Sequence, residues 1–333
     1  MLSLASDRLL RSSCALLLIL LLLTLLTAFA QKTPPPAPKS PTPAPAAAKV
    51  PPFDKLELFA YLAAGPYPPY AAELIRTRGL DFAPNDPFLL SYPFDPVREA
   101  LAHVAPIKPK PLSSKRAQAF AHFSEVANSI RDQKCSMAEM DLQEAIRLAP
   151  DSASLHSAAA SCRMWSHDWP GVEKEIRESL RLWPGNADAH ATLAYALSQQ
   201  GRDKDAIPEM REAIRIFPAH MGAVMFLGIA LSRTGHHAEA IPVLRQSSEF
   251  NHKITFVEKY LGISLIATNQ QADAIEPLSQ FIEAMPDDAE AHFLLGTAFR
   301  AVHRDDEAQT QLEEAARLEP QNQRYQSAAH PPI

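Results

Sequence analysis

The sequence predicts an all-α chain: a stack of about six similar helix hairpins with a small helical segment ahead of it. Three observations carry that reading. Walking back from Pro320 in equal steps gives Pro286, His252, Pro218, Pro184 and Pro150, so a closing residue recurs at a fixed interval. Inside each unit, apolar residues recur at helical spacing. Prolines and glycines fall at unit and helix boundaries.

The units can be aligned by giving each closing residue position 32. Position 20 then reads Ala138, Val172, Ala206, Ala240, Ala274 and Ala308, and position 24 reads Leu142, Ile176, Met210, Leu244, Leu278 and Leu312. Position 8 of the last four units is Ala194, Gly228, Gly262 and Gly296. Antiparallel helices approach closely only where the facing side chains are short, and a bulky residue there would cost about 1–3 kcal/mol in overpacking. Large apolar residues at positions 7, 11 and 24 fill the space between neighbours. Pro208, Pro242 and Pro277 are expected near the start of each second helix, where the missing N–H removes little. Pro170 takes that place in the second unit. Gly201 and Gly235 mark the turns between helices, where glycine relieves left-handed strain.

This repeating pattern resembles the tetratricopeptide repeat (TPR), over roughly Ser114 to Pro320. The resemblance implies a right-handed α-solenoid. The aromatic that the family carries at position 4 is mostly replaced, by His156, His190, Val224, Glu258 and His292. The first unit fits better with its first helix moved one residue, which places Phe123, Val126, Ala127 and Ile130 at positions 4, 7, 8 and 11. The second unit is the least regular, with Arg163 at position 11.

In the TPR family the first helices line a concave face, and positions 2, 5, 9, 12 and 13 point into it. Carried onto this chain, they give a peptide groove with Asn128, Ser161, Tyr195, Met225, Ile229, Lys259, Ile263, Phe293 and Arg300, and an apolar middle around Tyr195, Met225 and Ile229. Such a surface suits a helix or an extended peptide with apolar anchors. Cochaperone members hold a C-terminal carboxylate with five basic and amide residues. Here Asn128 matches, whereas Ser124, Ala158, Asp188 and Thr192 occupy the other places, so a carboxylate clamp is not expected. Trp165, Trp169 and Trp183 all fall in the second unit, where packing is the favoured reading and a binding hot spot the rival.

Ahead of the repeats the chain changes character three times. Residues 1–30 read as an export signal: Arg8 and Arg11 precede an apolar run, Ala15–Ala30, and Ala28-Phe29-Ala30 has the form of a cleavage site. Such a run spans about 24 Å as a helix, short of the ~30 Å hydrocarbon core, which favours cleavage over an uncleaved inner-membrane anchor. Residues 31–52 form a proline-alanine linker, expected to be extended and disordered with a reach of roughly 70 Å. Residues 53–111 leave the repeat pattern and break into short helical pieces. Asp54–Ala64 is stopped by Gly65, Pro69–Arg78 is stopped by Gly79, and a third piece starts at Asp95-Pro96 with Asp95 as its cap. This segment reads as a cap on the first repeat, with a separate docking domain as the alternative. Residues 321–333 are left as a C-terminal tail.

Outside the signal only Cys135 and Cys162 remain. In an exported protein they invite a disulfide, and parallel first helices of adjacent units could bring them close, although cysteine is also a common buried residue.

No enzymatic constellation, cofactor motif or metal set is present in the sequence. His156 and His190 recur at one position in successive units, about 10 Å apart, too far to converge on one zinc. A formal net charge of -6 without a basic block argues against nucleic acid as partner. The sequence therefore points to a non-enzymatic scaffold outside the cytoplasm that binds a protein or peptide. An envelope assembly factor anchored through its apolar run is the alternative. An enzyme using residues 53–111, through His103 or Asp81, is the weakest reading.

Overall fold

A computed structural model describes residues 51–105, 110–132, 134–250 and 255–330. The export signal and nearly all of the linker lie outside the described residues, as does the closing residue His252. Among the described residues there are seventeen α-helices and no strand.

Four helices precede the repeats: α1 (Lys55–Ala63), α2 (Pro68–Arg78), α3 (Pro87–Leu90) and α4 (Asp95–His103). Asp54 caps α1 by accepting from the Glu57 N–H at 2.8 Å, and Gly65 and Gly79, both at φ 75°, end α1 and α2. Asp95 differs from expectation. It is the first helical residue, makes no cap bond and pairs with Arg98. A parallel bridge between Phe53 and Leu80 closes the segment on itself.

Six helix pairs follow. They are α5 (Ser114–Arg131) with α6 (Glu139–Leu148), α7 (Ala153–Trp165) with α8 (Trp169–Leu182), α9 (Ala187–Gln199) with α10 (Asp203–Ile216), α11 (Met221–Arg233) with α12 (His237–Phe250), α13 (Thr255–Ala267) with α14 (Gln271–Ala284), and α15 (Ala289–Ala301) with α16 (Asp305–Leu318). From α7 onward both helices of each pair start one full repeat interval after their predecessors, without slippage. The first pair departs from this because a 3-10 turn at Cys135–Met137 takes up the place where its second helix would begin.

Among the described residues the same small set of interactions recurs from unit to unit. Ser152, Asn186, His220 and Asp288 occupy one equivalent position in their units, and each accepts from the first turn of the helix that follows. The hairpin turn uses a left-handed residue at a second recurring position: His167, Gly201, Gly235, Asn269 and His303, with φ between 57° and 82°. Ala138, Val172, Ala206, Ala240, Ala274 and Ala308 are each no more than 1% exposed, so the equivalent positions have equivalent surroundings. Position 8 shows why it must be small: a Cβ on Gly228, Gly262 or Gly296 would come within 2.7, 2.5 or 2.7 Å of the facing leucine at position 24.

The prolines need a correction. Pro208 and Pro242 are the sixth residues of α10 and α12, and Pro277 is the seventh of α14. The second helices begin about a turn earlier than the prolines suggest, helped in α10 by Asp203 and Asp205 in its first turn, which favour its positive end. Each proline therefore gives up an interior hydrogen bond rather than one of the donors already free at a helix start.

Both ends of the array are covered. The residues read as a tail carry α17 (Gln323–Ala329), which starts one repeat interval after α15, and Tyr325 stacks on Phe293 at 5.0 Å. It is the first part of a seventh unit, long enough to cover the sixth. At the other end α1 packs on both α5 and α7, and one apolar core joins residues from Phe53 to Leu101 with the first two repeats. The described residues from Pro51 onward form one compact unit.

Candidate functional site

The N-terminal segment does more than cap an end. Ser161, at an inner-face position of α7, donates to the Ala64 carbonyl at 2.7 Å. Arg116 of α5 binds Asp54 at 2.8 Å and Glu57 at 3.2 Å, and the Ser154 N–H of α7 donates to Glu57 at 3.3 Å. Further along, Tyr61 Oη and the Tyr67 N–H both donate to Asp188, the inner-face residue that opens α9. Tyr70 Oη donates to the Gly185 carbonyl at 3.0 Å and accepts from the Ala187 N–H at 3.2 Å. Residues 54–70 thus lie along the inner face of the first two units and reach the third. Burial is the main cause pushing the Tyr61 hydroxyl above its ordinary pKa, and the Asp188 charge adds to it. Tyr61 remains a neutral donor.

This placement decides which of the expected groove residues are free. Ser161 is covered by α1. Phe293 is covered by Tyr325 and by Arg324, whose guanidinium lies 4.3 Å from its ring centre. Arg300 donates to the Ala328 carbonyl of α17 at 2.9 Å. Lys259 is engaged by Asp288 at 2.8 Å and Glu290 at 2.9 Å. Burial acts to lower its pKa, but bonds to these two carboxylates outweigh it and raise it. Asn128 is exposed, on the first unit, and outside both clefts described below. Ile263 is half-buried farther along.

Tyr195, Met225 and Ile229 do come together, with Trp165, which sits at an inner-face position, and with Trp169, Phe226 and Tyr260, which the sequence reading did not place there. A cleft of about 570 Å³ runs between the Gly65–Pro68 loop and α7, α9 and α11, walled by Trp165, Trp169, Tyr195 and Phe226. A second, of about 390 Å³, continues along α9, α11 and α13 with Met225, Ile229, Phe256 and Tyr260. Both share Tyr195 and Phe226, so they form one groove. Trp169 meets Tyr195 edge-on at 5.6 Å, and Tyr195 meets Phe226 at 5.1 Å. Trp165 is 48% exposed and Phe256 56%, one toward each end. The tryptophans therefore divide: Trp183 is buried against Phe53 and Tyr61, whereas Trp165 faces solvent. Phe256 occupies inner-face position 2, which is the signal that could have found it.

The histidines at position 4 tie hairpins together. His156, His190 and His292 each bond through Nδ1 to a residue 19 positions later, on the second helix: Glu175 at 2.9 Å, Glu209 at 2.6 Å and Gln311 at 2.6 Å. His190 and His292 also bond through Nε2 to the carbonyls of Pro184 and Pro286, the preceding closing residues. Burial alone would lower the His190 pKa. Its bonds to Glu209 and the Pro184 carbonyl, with the charges of Glu209 and Glu212, raise it. In the irregular second unit, Arg163 joins the same network, 3.1 Å from Asp168 and 3.6 Å from Glu175. The Sγ atoms of Cys135 and Cys162 lie at bonding distance, with Cα atoms 5.3 Å apart, across the first two units.

The tetratricopeptide repeat family pattern matches residues 173–220 and 261–323. The hairpins in these stretches are tetratricopeptide repeats. YrrB, described as a TPR protein with an unusual peptide-binding site, superposes with a TM-score of 0.51 at 18% identity, over 56% of this chain and 96% of its own. Pseudomonas aeruginosa pilF superposes with a TM-score of 0.53 at 19% identity, over 65% of this chain and 98% of its own. At these identities the likeness concerns the fold. No curated protein matches the chain in sequence. The TPR fold is that of a protein-interaction scaffold. Among the described residues no helix is long and apolar enough to cross a membrane.

Proposed function

We propose that the chain is a non-enzymatic scaffold, acting outside the cytoplasm, that holds a protein or peptide segment on the inner face between Trp165 and Phe256. The observation that carries this is the contrast along that face. Other parts of the chain cover it at Ser161 in the second unit and at Phe293 in the sixth, while two large aromatics stay exposed around a half-buried apolar floor. Exposed aromatics beside desolvated neighbours are the usual anchors of protein recognition.

The export part of the reading rests on the apolar run Ala15–Ala30 and its cleavage-like end, and a Cys135–Cys162 bond suits an oxidising compartment. Retention of that run would make the protein an anchored envelope factor. A native N-terminus at Gln31 would count against the anchor.

Site-specific photo-crosslinking in living cells tests the groove. A photoreactive phenylalanine analogue at Phe256 or Trp165 should trap a discrete partner, and one at Met140, which is 86% exposed on another surface, should not. Adducts at Met140 with none at Trp165 or Phe256 would overturn the proposal.

A further inference from the structure

The charges lining the groove are unequal. Its fully charged side chains are Asp188, Asp203 and Arg233, and Arg233 Nε is already paired with Asp203 Oδ2 at 3.1 Å. The groups bonded to Asp188 are neutral: the Tyr61 hydroxyl, the Tyr67 N–H and His220. The neutral form of His220 follows from its bonds. Its Nδ1 accepts from the Ala223 N–H at 3.1 Å, so only Nε2 carries the proton that faces Asp188 at 3.2 Å. The floor therefore keeps an excess negative charge.

A second observation points the same way. Asp203 is only 8% exposed, lines the groove, and its Oδ1 has no hydrogen-bond partner. Ser198 Oγ, in the same lining, also lacks one. A buried carboxylate oxygen without a donor is costly unless something supplies one. The same cleft is lined by Tyr195, Phe226, Phe256 and Tyr260, and aromatic rings attract a cation through their quadrupoles.

Building on the groove reading, we infer that the segment held there is basic: an extended stretch of a partner protein with an arginine or lysine between apolar residues. The apolar side chains sit among Tyr195, Met225 and Phe226. The cation supplies the donor that Asp203 Oδ1 lacks and lies against the aromatic wall. A partner presenting an acidic segment or a free C-terminal carboxylate is repelled by the same floor.

A random-peptide phage library selected on the full chain tests this, with counter-selection on Trp165→Ala/Phe256→Ala. Both replaced side chains are exposed, and circular dichroism verifies the fold. The inference expects groove-dependent binders enriched in arginine and lysine, weakened by salt. Their affinity should fall about tenfold in Asp203→Asn, and replacing the peptide's basic residue by glutamine should remove most of that difference. Groove-dependent binders that are neutral or acidic would overturn the basic partner and leave the groove standing. Basic binders indifferent to Asp203→Asn would overturn the role of that carboxylate. A selection that yields no groove-dependent binder would overturn both readings.

Discussion

Gly262→Ala should destabilise the fifth repeat, although alanine is the better helix former. The added Cβ would lie 2.5 Å from Leu278 Cγ and 2.6 Å from its Cδ2, against an ordinary carbon contact of about 3.5–4.0 Å. Leu278 is fully buried, so its branch point has nowhere to swing. Overpacking of this kind costs about 1–3 kcal/mol. The contact at the branch point places this site in the upper half of that range, and the helix preference of alanine returns about 1 kcal/mol. The net loss is about 1–2 kcal/mol. The third repeat supplies an internal control, because there Ala194 at the same position faces Met210, a side chain that bends around a methyl group. Gly262→Ala with Leu278→Met should therefore recover most of the loss. Because stability in a repeat array is local, amide exchange along α13 and α14 is the most direct assay. The single variant should exchange roughly tenfold faster there, with a lower urea midpoint. A single variant as stable as the parent, or about 1 kcal/mol more stable, would refute the close helix approach.

Other consequences follow from the same contacts. The folded pKa of His190 is raised above its unfolded value, so its contribution is fully present below about pH 6.5 and lost as pH rises through the folded pKa. The difference in melting temperature between the parent and His190→Phe, measured by calorimetry from about pH 5 to about pH 9, should be largest at the acid end. If Cys135 and Cys162 are bonded, their separation of 27 residues is worth roughly 3–4 kcal/mol, so a thiol reductant should lower the unfolding midpoint of the parent and leave Cys135→Ser/Cys162→Ser unchanged. His303 holds φ 61° where the third and fourth repeats use glycine; His303→Gly should raise the stability of the last repeat by about 1 kcal/mol, read from its urea midpoint.

The repeat was legible because its physics is local. Small residues at positions 8 and 20 and a proline at five of the six closing positions recur at one spacing, and no distant part of the chain is needed to interpret them. The starts of the second helices were less legible, since Pro208 and Pro242 stand a turn inside helices whose acidic first-turn residues are tolerated rather than diagnostic. On the inner face, the structure gathers Tyr195, Met225 and Ile229 into one cleft. Ser161 and Phe293 follow the same positional rule, yet the chain covers both. What covers Phe293 is α17, which continues the register within residues read as a tail; what covers Ser161 is α1, which lies outside the array and is held there by Tyr61 and Asp188, residues 127 positions apart with no pattern between them. Asp188 looked like a missing member of a carboxylate clamp and is instead the anchor of the N-terminal segment.

The account turns on that segment being a built-in part of the inner face, which confines the open groove to the stretch from Trp165 to Phe256. Hydrogen exchange of the intact chain, resolved by mass spectrometry, measures this most directly. Amides of α1, where Leu56, Leu58 and Leu62 are wholly buried, should exchange as slowly as those of α7 beneath them. Exchange of α1 on the timescale of an unstructured peptide, with α7 still protected, would mean that the inner face is open from the first repeat onward and would contradict the account.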